Sequence, residues 1–291
     1  MSQENLLLTL HIVCSAASDI AFSLMWGGVL LLYWGALPDS LRASVHRLVT
    51  AAAIMLCLAL PLQILLLTSD MCGTTHWLEI HAVLPDVLEM HAGSVLRSQF
   101  ICVLLLSLSA LVPLKPVTRR SIFTLLLLAL TTFKAATGHA AIDGPFSLRE
   151  LSQWLHLASI AAWAGGILLA AVLSVPLLGN ESNLLVSYLR RLSRHCTLSI
   201  GIVCITGVLN SWLITEGKLE HIRSSTWGTL LIVKMAFVLV ALTLGFLNRR
   251  DINGSLTAET QLAVAKRIRL EAPIMLVILC ASGWLSALSP V

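Results

Sequence analysis

TGHAAIDGPFSLRELSQWLHLASIAAWAGGILL, residues 137–169, decides how the rest of the chain is read. Gly138-His139-Ala140 closes one apolar segment, a polar turn follows, and Trp154-Leu155-His156 leads into a second segment running through Trp163-Ala164-Gly165-Gly166. This is the pattern of a membrane helix ending, a loop outside the bilayer, and the next helix beginning. It predicts that His139 and His156 face each other at about the same depth.

The composition agrees with that reading along the whole chain. Of 291 residues, 57% are hydrophobic and 12% charged, and the mean hydropathy is +0.88. That is more apolar surface than a soluble domain of this size can bury. Lipid leaves no water for unpaired backbone groups, so long apolar runs without alternation must be helices. Apolar windows near 6–37, 46–68, 97–114, 121–139, 153–178, 195–215, 227–248 and 270–289 predict an all-α, eight-transmembrane-helix bundle, one integral membrane domain over residues 1–291. Pro38-Asp39-Ser40 and the segment Pro113 to Pro116 are its clearest breakers.

Lys and Arg number two, three, three and five in alternate connections, so 13 of 19 collect on one side. The positive-inside rule makes that side cytoplasmic and puts both termini outside. The net charge of +4 thus reflects loop placement, not nucleic-acid binding. The first apolar run has no basic lead and no small-residue cleavage site, and reads as a retained helix. Of the seven cysteines only Cys72 reads as a loop residue; the others lie in or beside apolar runs, so no disulfide framework is implied.

This topology sorts the histidines. His11, His76, His81, His91, His139, His156 and His221 fall at the outer face, and His46 and His195 at the inner one. The longest outer loop, 69–96, adds Asp70, Met71, Cys72, Glu79, Asp86, Glu89 and Met90, and reads as an amphipathic stretch on the bilayer or a metal-collecting loop. His156, Ser159, Trp163 and Gly166 share one helix face. Taken alone, His139 and His156 fit two roles equally: interfacial hydrogen bonding, or metal ligation, for which imidazole suits copper, zinc, iron and nickel.

Asp19 lies near the middle of the first span, where a charged carboxylate costs about 2.5 to 3.5 kcal/mol. It must be protonated, paired or facing a wet cavity. Lys234 either snorkels to the headgroups or balances a carboxylate. Asn210 and Ser211 suit interhelical hydrogen bonds, and Glu271 ahead of Pro273 reads as a helix N-terminus.

At these residues the sequence resembles the CopD family of bacterial inner-membrane copper proteins, with its PcoD and shorter YebZ-like branches. The resemblance rests on Gly138-His139-Ala140, Trp154 to His156 with Ala162 to Gly166, Gly207 to Ser211, Trp227-Gly228 with Lys234, Asn248-Arg249, and Glu271. Residues 121–291 carry the CopD-like helices 4 to 8. Residues 1–114 are less family-like, although Gly93 to Arg97 resembles the family's glycine-containing start of helix 3.

The resemblance implies residence in the inner membrane and copper movement from periplasm to cytoplasm, with a periplasmic CopC-like copper-binding partner. His139, His156, His91 and His81 are then the candidate metal ligands, and Asp19, Trp163, Asn210 and Lys234 shape the onward route. Rival readings are a haem b electron-transfer protein ligated by two imidazoles, and a copper-binding sensor or docking platform. No phosphate-cradling loop or catalytic triad is present, so the chain reads as neither an ATP-driven pump nor an enzyme.

Overall fold

The computed structural model describes residues 3–34, 39–113, 115–137, 144, 147–180, 182–215, 225–254 and 257–288. Among these residues the fold is entirely helical. In chain order the helices are α1 (Gln3–Trp34), α2 (Asp39–Cys72), α3 (Trp77–Glu89), α4 (His91–Leu111), α5 (Pro116–Ala135), α6 (Leu148–Asn180), α7 (Ser182–Thr215), α8 (Thr226–Asn253) and α9 (Ala258–Ser286). Seven are long and apolar enough to cross a membrane, so this is a multi-pass membrane protein. The twenty residues of α5 rise about 30 Å, but Arg119, Arg120 and Lys134 near its ends lower its hydropathy.

The central pair is α1 and α6. On one side lie α2, α4 and α5, on the other α7, α8 and α9, and α9 contacts both central helices. Small residues allow this closeness. A Cβ added to Gly165 would lie 1.8 Å from the Ser23 carbonyl oxygen, and one on Gly27 would lie 2.5 Å from the Gly165 backbone. Lipid provides no hydrophobic drive between helices, so backbone approach at small residues supplies the packing. A second close crossing joins α1 to α9, where a Cβ on Gly283 would meet the Ala16 nitrogen at 2.6 Å. Around these crossings Met25, Leu169, Ala170 and Met275 are buried.

Several helices outrun their apolar windows. The first turns of α7 carry Arg190, Arg191 and Arg194 yet bury Leu185, Leu189 and Leu192, and α9 begins with Lys266, Arg267 and Arg269 around buried Val264, Ala265 and Ile268. These are amphipathic continuations, which hydropathy alone registers as loops. Most of the 69–96 stretch is also helical: α3 buries Ile80 and Val87, two turns apart, and exposes Trp77 and Leu78. Cys72 is the last residue of α2 rather than a loop residue, and all seven cysteines are free. Glu271 departs furthest from its reading as a helix N-terminus, because α9 runs unbroken from Ala258 through Pro273.

Replacing Gly165 by Ala should lower the thermal unfolding temperature in detergent, as overpacking costs about 1–3 kcal/mol. Gly201→Ala, where nothing beyond the adjoining backbone of its own helix lies within 4 Å of the added methyl, should leave it unchanged or raise it slightly. Equal effects at the two positions would show that the α1/α6 approach does not limit stability.

Candidate functional site

The central crossing brings ionisable groups into one region of the bundle. Lys134 Nζ, in the last turn of α5, donates to Asp19 Oδ1 of α1 at 2.9 Å, and both side chains are about one-fifth exposed. The ammonium also lies 5.9 Å from the Phe22 ring centroid. Lys234 of α8 is within electrostatic reach of both Asp19 and His156. Asp19 is therefore paired, and Lys234 is near a carboxylate. Lys134 is the partner that sequence reasoning missed, because nothing in the chain order links α1 to α5.

His156 lies roughly 12 Å along α6 from Leu148, half-buried against α7. Its Nδ1 lies 3.0 Å from Thr206 Oγ1. The Thr206 hydroxyl donates to the Ile202 carbonyl at 2.7 Å, so its oxygen accepts from the ring. Nδ1 therefore carries the proton and Nε2 keeps its lone pair. Nearby, Ser152 donates to Asn210 Oδ1 at 2.6 Å, and Asn210 Nδ2 donates to Gln153 Oε1 at 2.9 Å. Asn210 thus makes an interhelical clasp between α6 and α7, whereas the Ser211 hydroxyl bonds within its own helix to Gly207.

Among the described residues the other outer histidines sit apart from this one. His91, exposed at the start of α4, donates from Nε2 to the Ala136 carbonyl at 3.1 Å. That contact ties α4 to the chain three residues before His139, which lies outside the described residues. His81 is exposed on α3, its ring 6.2 Å from that of Trp77. His11 pairs with Asp70 at 2.8 Å between α1 and α2. Among the described residues no three His, Cys, Asp or Glu side chains gather as a metal-holding group.

Further along the bundle a second polar cluster fills the space between α6, α8 and α9. Glu271, 1% exposed, faces the buried Trp163 indole and the Asn248 carboxamide, with Asn248 Nδ2 3.5 Å from its Oε2. Arg267 donates from Nη1 to Asn248 Oδ1 at 3.3 Å and from Nη2 to Asp251. Asp251 also meets Arg250 at 3.5 Å. Asn248 and Asp251 are one turn apart on α8, as Arg267 and Glu271 are on α9, so the two helices present matched polar edges. Those spacings were visible in the sequence, although the pairing of α8 with α9 was not.

Fold and site together define a multi-pass helical membrane protein with charged and polar side chains buried between its spans. A model of copper resistance protein D matches residues 186–285, and a model of the N-terminal domain of copper resistance protein D-like proteins matches residues 4–148. The chain belongs to the copper resistance protein D family, as the resemblance read from its motifs had implied. Copper transport protein CutJ of Bacillus subtilis strain 168 is 26% identical over 268 residues, covering 84% of this chain and 48% of the relative. The chain therefore spans about half the length of that curated relative. No solved structure matches it.

Asp19→Asn should destabilise the protein by leaving Lys134 and Lys234 together without their carboxylate. Adding Lys134→Met should restore part of the loss, giving a coupling of about 0.5–3 kcal/mol in a double-mutant cycle of detergent unfolding. Strict additivity would show that the contact carries no net interaction.

Proposed function

We propose that this chain handles copper in the bacterial inner membrane and carries it from the periplasmic to the cytoplasmic side. Eight helices cross in this reading, with α5 as the eighth, both termini periplasmic and the arginine-rich end cytoplasmic. The observation that carries the proposal is the succession of polar groups inside the bundle, from His156 and Asp19 through Trp163 and Glu271 to Asp251, in a chain of a copper resistance family. Side chains of this kind are costly within lipid and are retained where they line a route or hold one together.

Copper is the cargo, and the imidazoles suit it. The free Nε2 of His156 offers one ligand position, oriented by Thr206 through the other ring nitrogen. His81, His91 and His139 collect the ion at the outer rim, where a CopC-like periplasmic partner delivers it. Asn210 braces the wall beside His156, and Trp163 narrows the passage below it. Lys134 and Lys234 occupy Asp19 and keep a metal ion from settling against that carboxylate. Weak, successive contacts favour release, because a site that binds too tightly does not conduct.

Metal content, absorption spectra and cellular copper accumulation test this reading on the full chain. Wild type should retain copper and support accumulation, and His156→Ala and His139→Ala should lose both. Thr206→Val, which removes only the acceptor at Nδ1, should weaken copper retention by about ten- to a hundred-fold. A Soret band lost in the histidine variants would make the protein a haem b carrier instead. Copper retained without any change in accumulation would leave a sensor or docking platform.

A further inference from the structure

At the arginine-rich end, α7 and α8 diverge around an open cavity of about 260 Å³, lined by Arg190, Ser193, Arg194, Arg249, Ile252 and Asn253. The lining follows helical spacing. Arg190, Ser193, Arg194 and Thr197 share one face of α7, and Arg249, Ile252 and Asn253 share the facing side of α8. Three arginines thus line one space, with no carboxylate among the described residues of its lining. Arg249 is held in place by donating from Nη1 to Thr197 Oγ1, whose own hydroxyl donates to the Ser193 carbonyl at 2.8 Å. Asp251, the nearest acid in sequence, is engaged by Arg267 and Arg250.

The surroundings specify the ligand further. Ile252, 3% exposed, forms an apolar floor. One turn deeper along the same helix faces, Leu198 of α7 and Phe246 of α8 are 66% and 67% exposed. Arginines at headgroup level above exposed apolar side chains match a molecule with a phosphate at one end and acyl chains at the other. Guanidinium forks suit phosphate oxygens in geometry and charge, and basic pockets between membrane helices are suited to anionic headgroups.

We infer that the cavity between α7 and α8 binds a phosphate group, and that its source is the headgroup of an anionic phospholipid. The site is independent of the copper route, since none of its lining residues belongs to the polar succession from His156 to Asp251.

Native mass spectrometry of the full chain in detergent tests this with three probes: phosphatidylglycerol, phosphatidylcholine with the same acyl chains, and inorganic phosphate. Wild type should retain phosphatidylglycerol in preference to phosphatidylcholine. Arg190→Gln/Arg194→Gln, which leaves the Arg249–Thr197 bond intact, should reduce that retention about thirtyfold, the scale set by removing two arginines beside an anionic headgroup. Lys266→Gln/Arg269→Gln removes two exposed cations from the same end and should leave retention unchanged. Equal retention of the two lipids with no inorganic phosphate bound, or equal loss in both double variants, would overturn the site. Inorganic phosphate bound alone, without any preference between the lipids, would overturn the lipid source.

Discussion

The close approach of α1 and α6 is the constraint on which the remaining packing depends. Ser23 and Gly27 on one helix and Gly165 on the other leave no room for a β-carbon, so the two backbones meet directly. Their other faces then receive α2 and α5 on one side, α7 on another, and α9 across both. The same contact sets the register of the interior. Asp19 lies one turn from Ser23, and Trp163 lies two residues from Gly165, so sliding either helix would separate the polar groups from their partners.

Electrostatics arranges what the packing brings together. The carboxylate of Asp19 is paired with Lys134 and lies within electrostatic reach of Lys234, both from helices distant in sequence, whereas Glu271 is met by neutral donors and is linked through Asn248 to Arg267. The partly exposed Asp19 is thus neutralised by direct pairing, and the buried Glu271 is held in a network of hydrogen bonds. Low-dielectric surroundings make both arrangements costly to disturb.

The membrane class, the long helices and the family were legible in the sequence because apolar length and motif order are properties of contiguous chain. Helix ends were less so: the amphipathic turns of α7 and α9 interleave arginines with buried aliphatic residues, and a hydropathy window averages the two away. For the site, the functional weight placed on Asp19 and Lys234 followed from the cost of charge in lipid, and the clasp made by Asn210 from its amide. Lys134 as the partner of Asp19 and Thr206 as the partner of His156 depend on which helices touch. Glu271 was misplaced because a proline two residues on is an ordinary sign of a helix start, whereas in α9 the proline sits inside a continuous helix.

That proline has a mechanical consequence. Pro273 has no amide hydrogen, so the carbonyl of Arg269 lacks its usual partner four residues ahead, and the pyrrolidine ring crowds the turn that carries it. The segment bearing Arg267 and Glu271 is anchored sideways to α8, and the segment beyond Met275 is anchored to α1 at Gly283. Between the two anchors lies a joint with one fewer longitudinal bond. Bending of α9 concentrates there, so the buried carboxylate rides on the edge of a compliant element rather than in the middle of a stiff rod.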